Sequence, residues 1–242
     1  MEYNKYENIE VFYEGLNFLK IELTDLQKQQ FIDYYELLIE TNKVMNLTTI
    51  TDFSEVMIKH FIDSLSLVTV FKSEHCRILD MGTGAGFPGI PLKIAFPDWD
   101  IVLLDSLNKR VDFLNEVIVK LKLTNIIAIH GRAEDFGQNL EYRESFDLCV
   151  SRAVAKLSLL SEYCIPYVKT GGYFIPYKSG HIIEELDSAK NALEILGAVI
   201  ENTKELMLPF SDIERTLVVI HKTDETPKKY PRRAGKPSKA PL

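Results

Sequence analysis

The stretch Ile78-Leu79-Asp80-Met81-Gly82-Thr83-Gly84-Ala85-Gly86-Phe87-Pro88-Gly89 constrains this chain more than any other. An apolar run closes on an acid, a glycine-rich turn follows, and Pro88 and Pro91 allow a helix to start. The order reads as strand, tight loop and helix N-terminus, in which glycines let backbone N–H groups approach a ligand that a Cβ would hold away. It predicts a nucleotide-binding loop.

Gly84, Gly86 and Gly89 satisfy the GxGxxG spacing of dinucleotide-binding enzymes, but the first glycine after the strand is Gly82, which makes the run GxGxG. Asp80 stands two residues before it. A carboxylate there repels an anionic pyrophosphate and suits a cofactor bearing an amino group and a sulfonium. S-adenosylmethionine therefore fits better than NAD. No Gly-Lys-Ser/Thr follows, so a Walker loop is excluded. The bland alternative is a structural turn that holds no ligand.

At 242 residues the chain has room for one ordinary domain plus an appendage, and 46% hydrophobic with 26% charged residues marks a globular, soluble class. No run approaches the ~20 apolar residues of a membrane span. Met1-Glu2-Tyr3-Asn4-Lys5 has neither a basic start nor an apolar h-region, so a cytoplasmic location is expected. Cys76, Cys149 and Cys164 lack CxxC spacing and read as small buried hydrophobes. The net charge of −7 hides an asymmetry: residues 222–242 carry seven basic side chains against Asp224 and Glu225, a net +5 that leaves −12 on the other 221 residues. With four prolines in 21 residues, this tail is expected to be extended or disordered when free. It is either a solubilising end or a phosphate-contacting arm that orders on RNA.

Residues 1 to about 72 read as helical. Thr24-Asp25-Leu26-Gln27 resembles a capping box, after which Phe31, Tyr34, Leu38 and Met45 recur at helical spacing. Asn46-Leu47-Thr48-Thr49 interrupts, and Phe53 to Val70 resumes. His60 and Asp63, one turn apart, form either a local hydrogen-bonding pair or part of a metal site, and the first reading is preferred because no third ligand is near. From Arg77 the rhythm becomes strand, helix, strand. Ile78 to Met81, Ile101 to Leu104, Ile126 to Ile129, Phe146 to Val150 and Tyr173 to Ile175 are short apolar runs, as strands buried on both faces should be. Helical stripes lie between them. The alternation predicts a doubly wound α/β sheet with ligands at the carboxyl ends of its strands, closed by a hairpin from Val199-Ile200 and Leu217 to Ile220.

Four post-strand motifs fall on that ligand edge. Asp105 ends the second strand and either accepts from ribose hydroxyls or caps the helix near Asn108. Gly131-Arg132-Ala133-Glu134-Asp135 is either an adenine-side loop, offering Ala133 and Glu134, or a helix-start turn. Ser151-Arg152-Ala153-Val154-Ala155 faces the acceptor, and Arg152 pairs with a phosphate, with a cofactor carboxylate or with a surface acid. Lys178, in Tyr177-Lys178-Ser179-Gly180, is a candidate RNA-phosphate contact.

Together these residues resemble the ribosomal small-subunit methyltransferase G family, also called glucose-inhibited division protein B. The matching stretches are Asn46-Leu47-Thr48, His60 with Asp63-Ser64-Leu65, Asp80 to Pro91, Asp105-Ser106 with Lys109-Arg110, Arg132-Ala133-Glu134, Ser151-Arg152-Ala153 and Tyr230 to Pro237. The resemblance implies a Rossmann-like class I methyltransferase fold, a seven-stranded, mostly parallel sheet with a terminal antiparallel strand. Its parts would be an N-terminal helical region at 1–72, the methyltransferase domain at 73–221 and the basic tail at 222–242. It implies methyl transfer from S-adenosylmethionine to N7 of a guanine in the decoding-region stem-loop of bacterial 16S rRNA, as naked RNA or within the small subunit. Cofactor contacts are implied at Gly82, Phe87, Ala133, Glu134 and Arg152, beside Asp80, Gly84, Gly86 and Asp105 from the motif reading. Lys178, Lys228, Lys229, Arg232, Arg233 and Lys236 are the candidate RNA contacts. No catalytic acid or base is expected, because guanine N7 carries no proton, and neither a metal nor a membrane; the chain is expected to be monomeric. The rival readings are a methyltransferase for another acceptor, a non-catalytic ribosome-assembly factor of the same fold, and an NAD-dependent dehydrogenase, which Asp80 disfavours.

Overall fold

The computed structural model describes residues 8–152, 155–180 and 182–242. Residues 1–7, from which the lack of a leader was read, and Ala153 and Val154 of the Ser151 to Ala155 motif lie outside them. The N-terminal region forms α1 (Glu10–Leu19), α2 (Asp25–Met45) and a third helix of changing pitch. That helix begins as α3 (Phe53–Val56), widens to a π-helical turn over Met57–Ile62, tightens as α4 (Asp63–Leu65) and ends in a 3-10 turn, Ser66–Thr69. The capping box forms as expected, with Gln27 N donating to Thr24 Oγ1 and Thr24 N to Gln27 Oε1.

One face of α2 ties this region to the sheet. Gln27 Nε2 donates to the carbonyls of Ile94 and Ala95, Gln30 Nε2 to that of Leu121, and the Tyr34 hydroxyl to that of Ala85. The first three acceptors are at the C-terminal ends of two later helices, where carbonyls lack intrahelical partners. The fourth is in the glycine loop. α2 thus completes elements that follow it by more than fifty residues.

From Arg77 the chain alternates β1 (Arg77–Met81), α5 (Gly89–Ala95), β2 (Asp100–Asp105), α6 (Asn108–Lys120), β3 (Ile126–His130), α7 (Ala133–Phe136), β4 (Phe146–Ser151), α8 (Leu157–Cys164), β5 (Val168–Ser179), α9 (Ile183–Leu196), β6 (Ala198–Met207) and β7 (Glu214–Lys222). The seven strands lie in the order β3-β2-β1-β4-β5-β7-β6, with β1 to β5 parallel and β7 antiparallel to both its neighbours. The closing hairpin is β6–β7. Its antiparallel strand sits one place in from the edge, and β6 forms the edge itself. β3, at the other edge, buries Ile126 while Ile127 is exposed, so burial on both faces fails there for want of an outer neighbour.

Successive strand residues point to opposite faces. Ile78, Ile101, Leu103 and Leu148 pack with α1, α2, α5 and α6; Leu79, Val102, Leu104 and Cys149 pack with α8 and α9. The first of these cores runs without a break from Phe12 and Phe31 to Leu217, so the N-terminal helices share their interior with the sheet.

The tail departs from the expected extended arm. Lys222, wholly buried, donates to Glu144 at 2.6 Å; Tyr230 enters the second core; Arg232 grips the buried Glu162; and Lys236–Lys239 form one turn, α10. A proline-rich segment with no core of its own orders here because the body offers it the buried Glu162, the half-buried Glu144 and an apolar slot. All three cysteines are buried and free, as expected.

Candidate cofactor and substrate site

The glycine loop is held from below by Asp80, which β1 places wholly inside the protein. Asp80 Oδ2 accepts from Thr83 Oγ1 at 2.6 Å and from Gly89 N at 2.8 Å, joining both ends of the turn. Oδ1 has no hydrogen-bond partner among the described residues. Burial pushes the carboxyl up to about 7, against the opposing pull of those two hydrogen bonds and of the Arg152 charge.

The glycines divide by purpose. Gly82 and Gly84 are left-handed, with φ +69° and +62°, and a Cβ on either would meet nothing within 4 Å. A Cβ on Gly86 would fall 2.7 Å from the Tyr34 hydroxyl, and one on Gly89 would fall 2.2 Å from Leu103 Cδ2. Two glycines therefore face open space and two allow close packing. Asp105 accepts from Gly84 N and from Leu107 N, each at 2.9 Å, so it binds the loop to the start of α6. Open space over two glycines, carboxylates at both strand ends and an unpaired buried carboxylate oxygen match an amino-bearing, cationic ligand better than a diphosphate.

Phe87 links the loop to Arg152. Its ring, 6% exposed, stacks on His60 at 4.5 Å between centroids, and the Arg152 guanidinium lies over it at 4.8 Å. Arg152 Nη1 donates to Asp63 Oδ2 at 2.8 Å and to the carbonyls of Lys59 and His60 at 3.3 and 3.4 Å. The His60 carbonyl also accepts from Asp63 N and Ser64 Oγ at the end of the π-helical turn. Arg152 Nη2 lies 3.1 Å from His60 Nδ1. An arginine only donates, so Nδ1 accepts and the ring proton is on Nε2, 2.8 Å from Thr48 Oγ1. Burial, then the Arg152 charge, lowers the His60 pKa to about 3, and the imidazole is neutral. His60 and Asp63 are thus joined not to each other as a local pair but through Arg152, 89 residues further along the chain; among the described residues no three metal-binding side chains cluster.

Asp63, wholly buried, also receives Arg215 through two contacts, Nε to Oδ1 at 2.7 Å and Nη2 to Oδ2 at 2.8 Å. Beside this network opens a cleft of about 1220 Å³, lined by His60, Asp63, Arg152, Lys156, Tyr177 and Arg215 among others. Arg215 and Asp63 were not singled out by sequence as a pair. Antiparallel pairing sets Arg215, at the start of β7, opposite Ser179, at the end of β5, and so delivers it to the ligand edge. Only the register reveals this.

Glu134, 9% exposed, accepts from Gly235 N of the tail at 3.2 Å, while the Ala133 carbonyl accepts from the Tyr167 hydroxyl at 2.6 Å. Two expected phosphate contacts are already paired with carboxylates, and one of them, Lys178, lines the cleft. Lys178, 8% exposed, pairs with Glu185 at 2.6 Å and donates to the Ala155 carbonyl, and Arg232 is committed to Glu162. Arg232 neutralises a carboxylate that would otherwise be stranded in the interior, whereas Glu185, the partner of Lys178, is half-buried at the cleft. Lys228, Lys229, Arg233 and Lys236 remain exposed.

Strand order 3-2-1-4-5-7-6, a glycine loop after β1 and an acid after β2 define an S-adenosylmethionine-dependent methyltransferase. Solved structures share the fold: a TYW2 from M. jannaschii in complex with AdoMet, at TM-score 0.52 and 17% identity over 64% of this chain and 72% of that one, and TrmN from Thermus thermophilus, at TM-score 0.52 and 14% identity over 66% and 48%. A family model described as GidB, rRNA small subunit methyltransferase G, matches residues 27–217. Two relatives bearing the name ribosomal RNA small subunit methyltransferase G are similar over nearly the whole chain. One from Lachnoclostridium phytofermentans is 57% identical over 96% of both chains; one from Acetivibrio thermocellus is 52% identical over 95% of this chain and 94% of its own. The chain belongs to the rRNA small subunit methyltransferase G family.

Proposed function

We propose that this protein transfers a methyl group from S-adenosylmethionine to N7 of a guanine in the decoding-region stem-loop of 16S rRNA, acting in the cytoplasm as a monomer on the free RNA or the small subunit. One observation carries the reading: full-length similarity at up to 57% identity to proteins named for methylation of small-subunit rRNA. That no helix among the described residues is long and apolar enough to cross a membrane accords with it.

The cofactor is assigned to the space over Gly82 and Gly84, bordered by Asp80 and Asp105, with Ala133 and Glu134 as the adenine wall. Gly86 and Phe87 shape this site by packing, and Arg152, over the Phe87 ring, lines the neighbouring cleft. When bound, S-adenosylmethionine supplies an electrophilic methyl group on a sulfonium. Guanine N7 offers a lone pair without a proton, so the chain needs no general base. Its contribution is orientation: holding two reactants at ~3 to 3.5 Å and in line is worth several kcal/mol. The buried brace of Asp63, His60 and Phe87 fixes Arg152 for that task. Carboxylates at the strand ends favour the positive charge that develops on the guanine. Exposed Lys228, Lys229, Arg233 and Lys236 give an otherwise acidic protein a cationic strip for phosphates.

The test is transfer of a labelled methyl group from S-adenosylmethionine to 16S rRNA and to small subunits from cells lacking the protein, with borohydride and aniline cleavage to map 7-methylguanine. A single labelled guanine in the decoding region is expected. Label on another atom or another molecule overturns the acceptor assignment, and no label despite cofactor binding favours a non-catalytic assembly factor.

A further inference from the structure

The mechanism leaves unused the most heavily bonded ion pair of the second face. Glu162 on α8 is wholly buried, and Arg232 of the tail answers it with four contacts: N and Nε to Oε1, both at 2.8 Å, and Nε and Nη2 to Oε2, at 3.1 and 2.5 Å. Arg232 Nη2 also donates to the Ala240 carbonyl at 2.9 Å, closing the tail on itself. Three residues beyond this anchor, Gly235 presents its N–H to Glu134 Oε1. Gly235 is in the left-handed region, φ +81°, which directs the chain back toward α7.

The same segment encloses the loop after β3 from its other side. Arg143 donates to the carbonyls of Tyr230 and Thr226, each at 2.7 Å, and Gln138 Nε2 to that of Pro231 at 2.9 Å. Pro231 packs so closely on Gly137 that a Cβ there would come within 2.7 Å of it. Tail and loop therefore hold one another, and at their junction the Glu134 carboxylate accepts from Gly235 N through Oε1 and also meets the Tyr163 side chain on α8. A basic tail whose arginine is spent on an interior acid serves the loop more than a distant phosphate.

We propose that Arg232 is a positioning residue for the cofactor: by anchoring residues 226–240 on Glu162 it sets Gly235 against Glu134 and so fixes the carboxylate of the adenine wall. This rests on the reading above that Glu134 contacts the cofactor. The effect belongs in cofactor affinity, because neither Arg232 nor Gly235 lines the acceptor cleft.

The test titrates S-adenosylhomocysteine calorimetrically into the full chain and its Arg232→Gln, Glu162→Gln and Glu134→Gln variants at a temperature where each is folded by circular dichroism. Losing a hydrogen bond to a charged group is expected to weaken binding about tenfold in each single variant. The Arg232→Gln/Glu134→Gln double variant should bind no more weakly than Glu134→Gln alone, since the two act in series. With cofactor saturating, kcat of Arg232→Gln should stay within about twofold of the parent, a KM-only effect that marks lost binding. Glu162→Gln keeps the shape of the anchor and gives the same readout should Arg232→Gln fail to fold. Wild-type affinity in folded Arg232→Gln, or additive losses in the double variant, overturns the proposal. Weakened rRNA binding with intact cofactor affinity overturns it too, and assigns Arg232 to RNA. If Glu134→Gln itself binds normally, the adenine-wall reading fails and the proposal falls with it; if Glu134→Gln is weak and Arg232→Gln is not, the proposal fails alone.

Discussion

Replacing Asp63 by asparagine removes the one negative charge that two guanidinium groups share. Asp63 is fully buried, and the side chains of Arg152 and Arg215 are each only 13% exposed. Of three contacts of 2.7 to 2.8 Å, one or two are lost according to which oxygen becomes the NH2, and the rest lose their charge, because an asparagine presents an NH2 where a donor already points. Breaking such a pair from one side costs about 3 kcal/mol or more, since the surviving charges keep their burial but lose their partner. For a chain of this size each kcal/mol shifts Tm by roughly 2–4 °C, which gives a fall of about 6–12 °C. Calorimetric melting of the two proteins, with Glu40→Ala as a control on the exposed Lys43–Glu40 pair, measures it. The control should change by less than about 0.5 kcal/mol. Methyl transfer should fall as well, because Arg152 loses its brace above Phe87. A fully active Asp63→Asn variant with a Tm within 2 °C of the parent, on the scale just given, would refute the brace.

Gly84→Asp should abolish S-adenosylmethionine binding, since the residue is at φ +62° beside open space that a charged side chain would fill; unchanged affinity in a folded variant refutes the loop assignment. His60 predicts acid sensitivity. Its pKa is about 3 in the folded chain against an ordinary 6.5, so below pH 6.5 the unfolded state takes up a proton that the native state does not, and stability falls as pH falls, by at most about 1.4 kcal/mol per unit. Urea midpoints of His60→Gln should therefore fall less steeply between pH 7 and 5 than those of the parent, and equal slopes would contradict it. Removing residues after His221 deletes the buried Tyr230 and strands Glu162, and should lower Tm by more than about 10 °C, together with cofactor affinity. A truncated protein that melts like the parent would show that the tail is not part of the fold.

The strands and the loop were legible because their signals are local. Five apolar runs and a glycine turn suffice to order a parallel sheet, and Thr24 with Gln27 marks a helix start in four residues. What escaped depends on pairing between distant segments. Arg215 reaches the site only through the antiparallel register of β7, and Arg152 meets Asp63 across 89 residues of sequence. The tail misled for a physical reason: its composition lacks a core, but composition does not report that a buried Glu162 and a half-buried Glu144 wait on the body for its cations. Lys178 does line the cleft, but a lysine at a ligand edge looks the same in sequence whether or not a carboxylate such as Glu185 is already paired with it.

The most direct measurement is mass spectrometry of nucleosides from the 16S rRNA of a deletion strain complemented with this chain or with its Gly84→Asp variant. The account predicts that 7-methylguanosine at the decoding-region site is absent in the deletion, restored by the parent and not by the variant. Persistence of the modified guanosine in the deletion strain, or its restoration by Gly84→Asp, would contradict it.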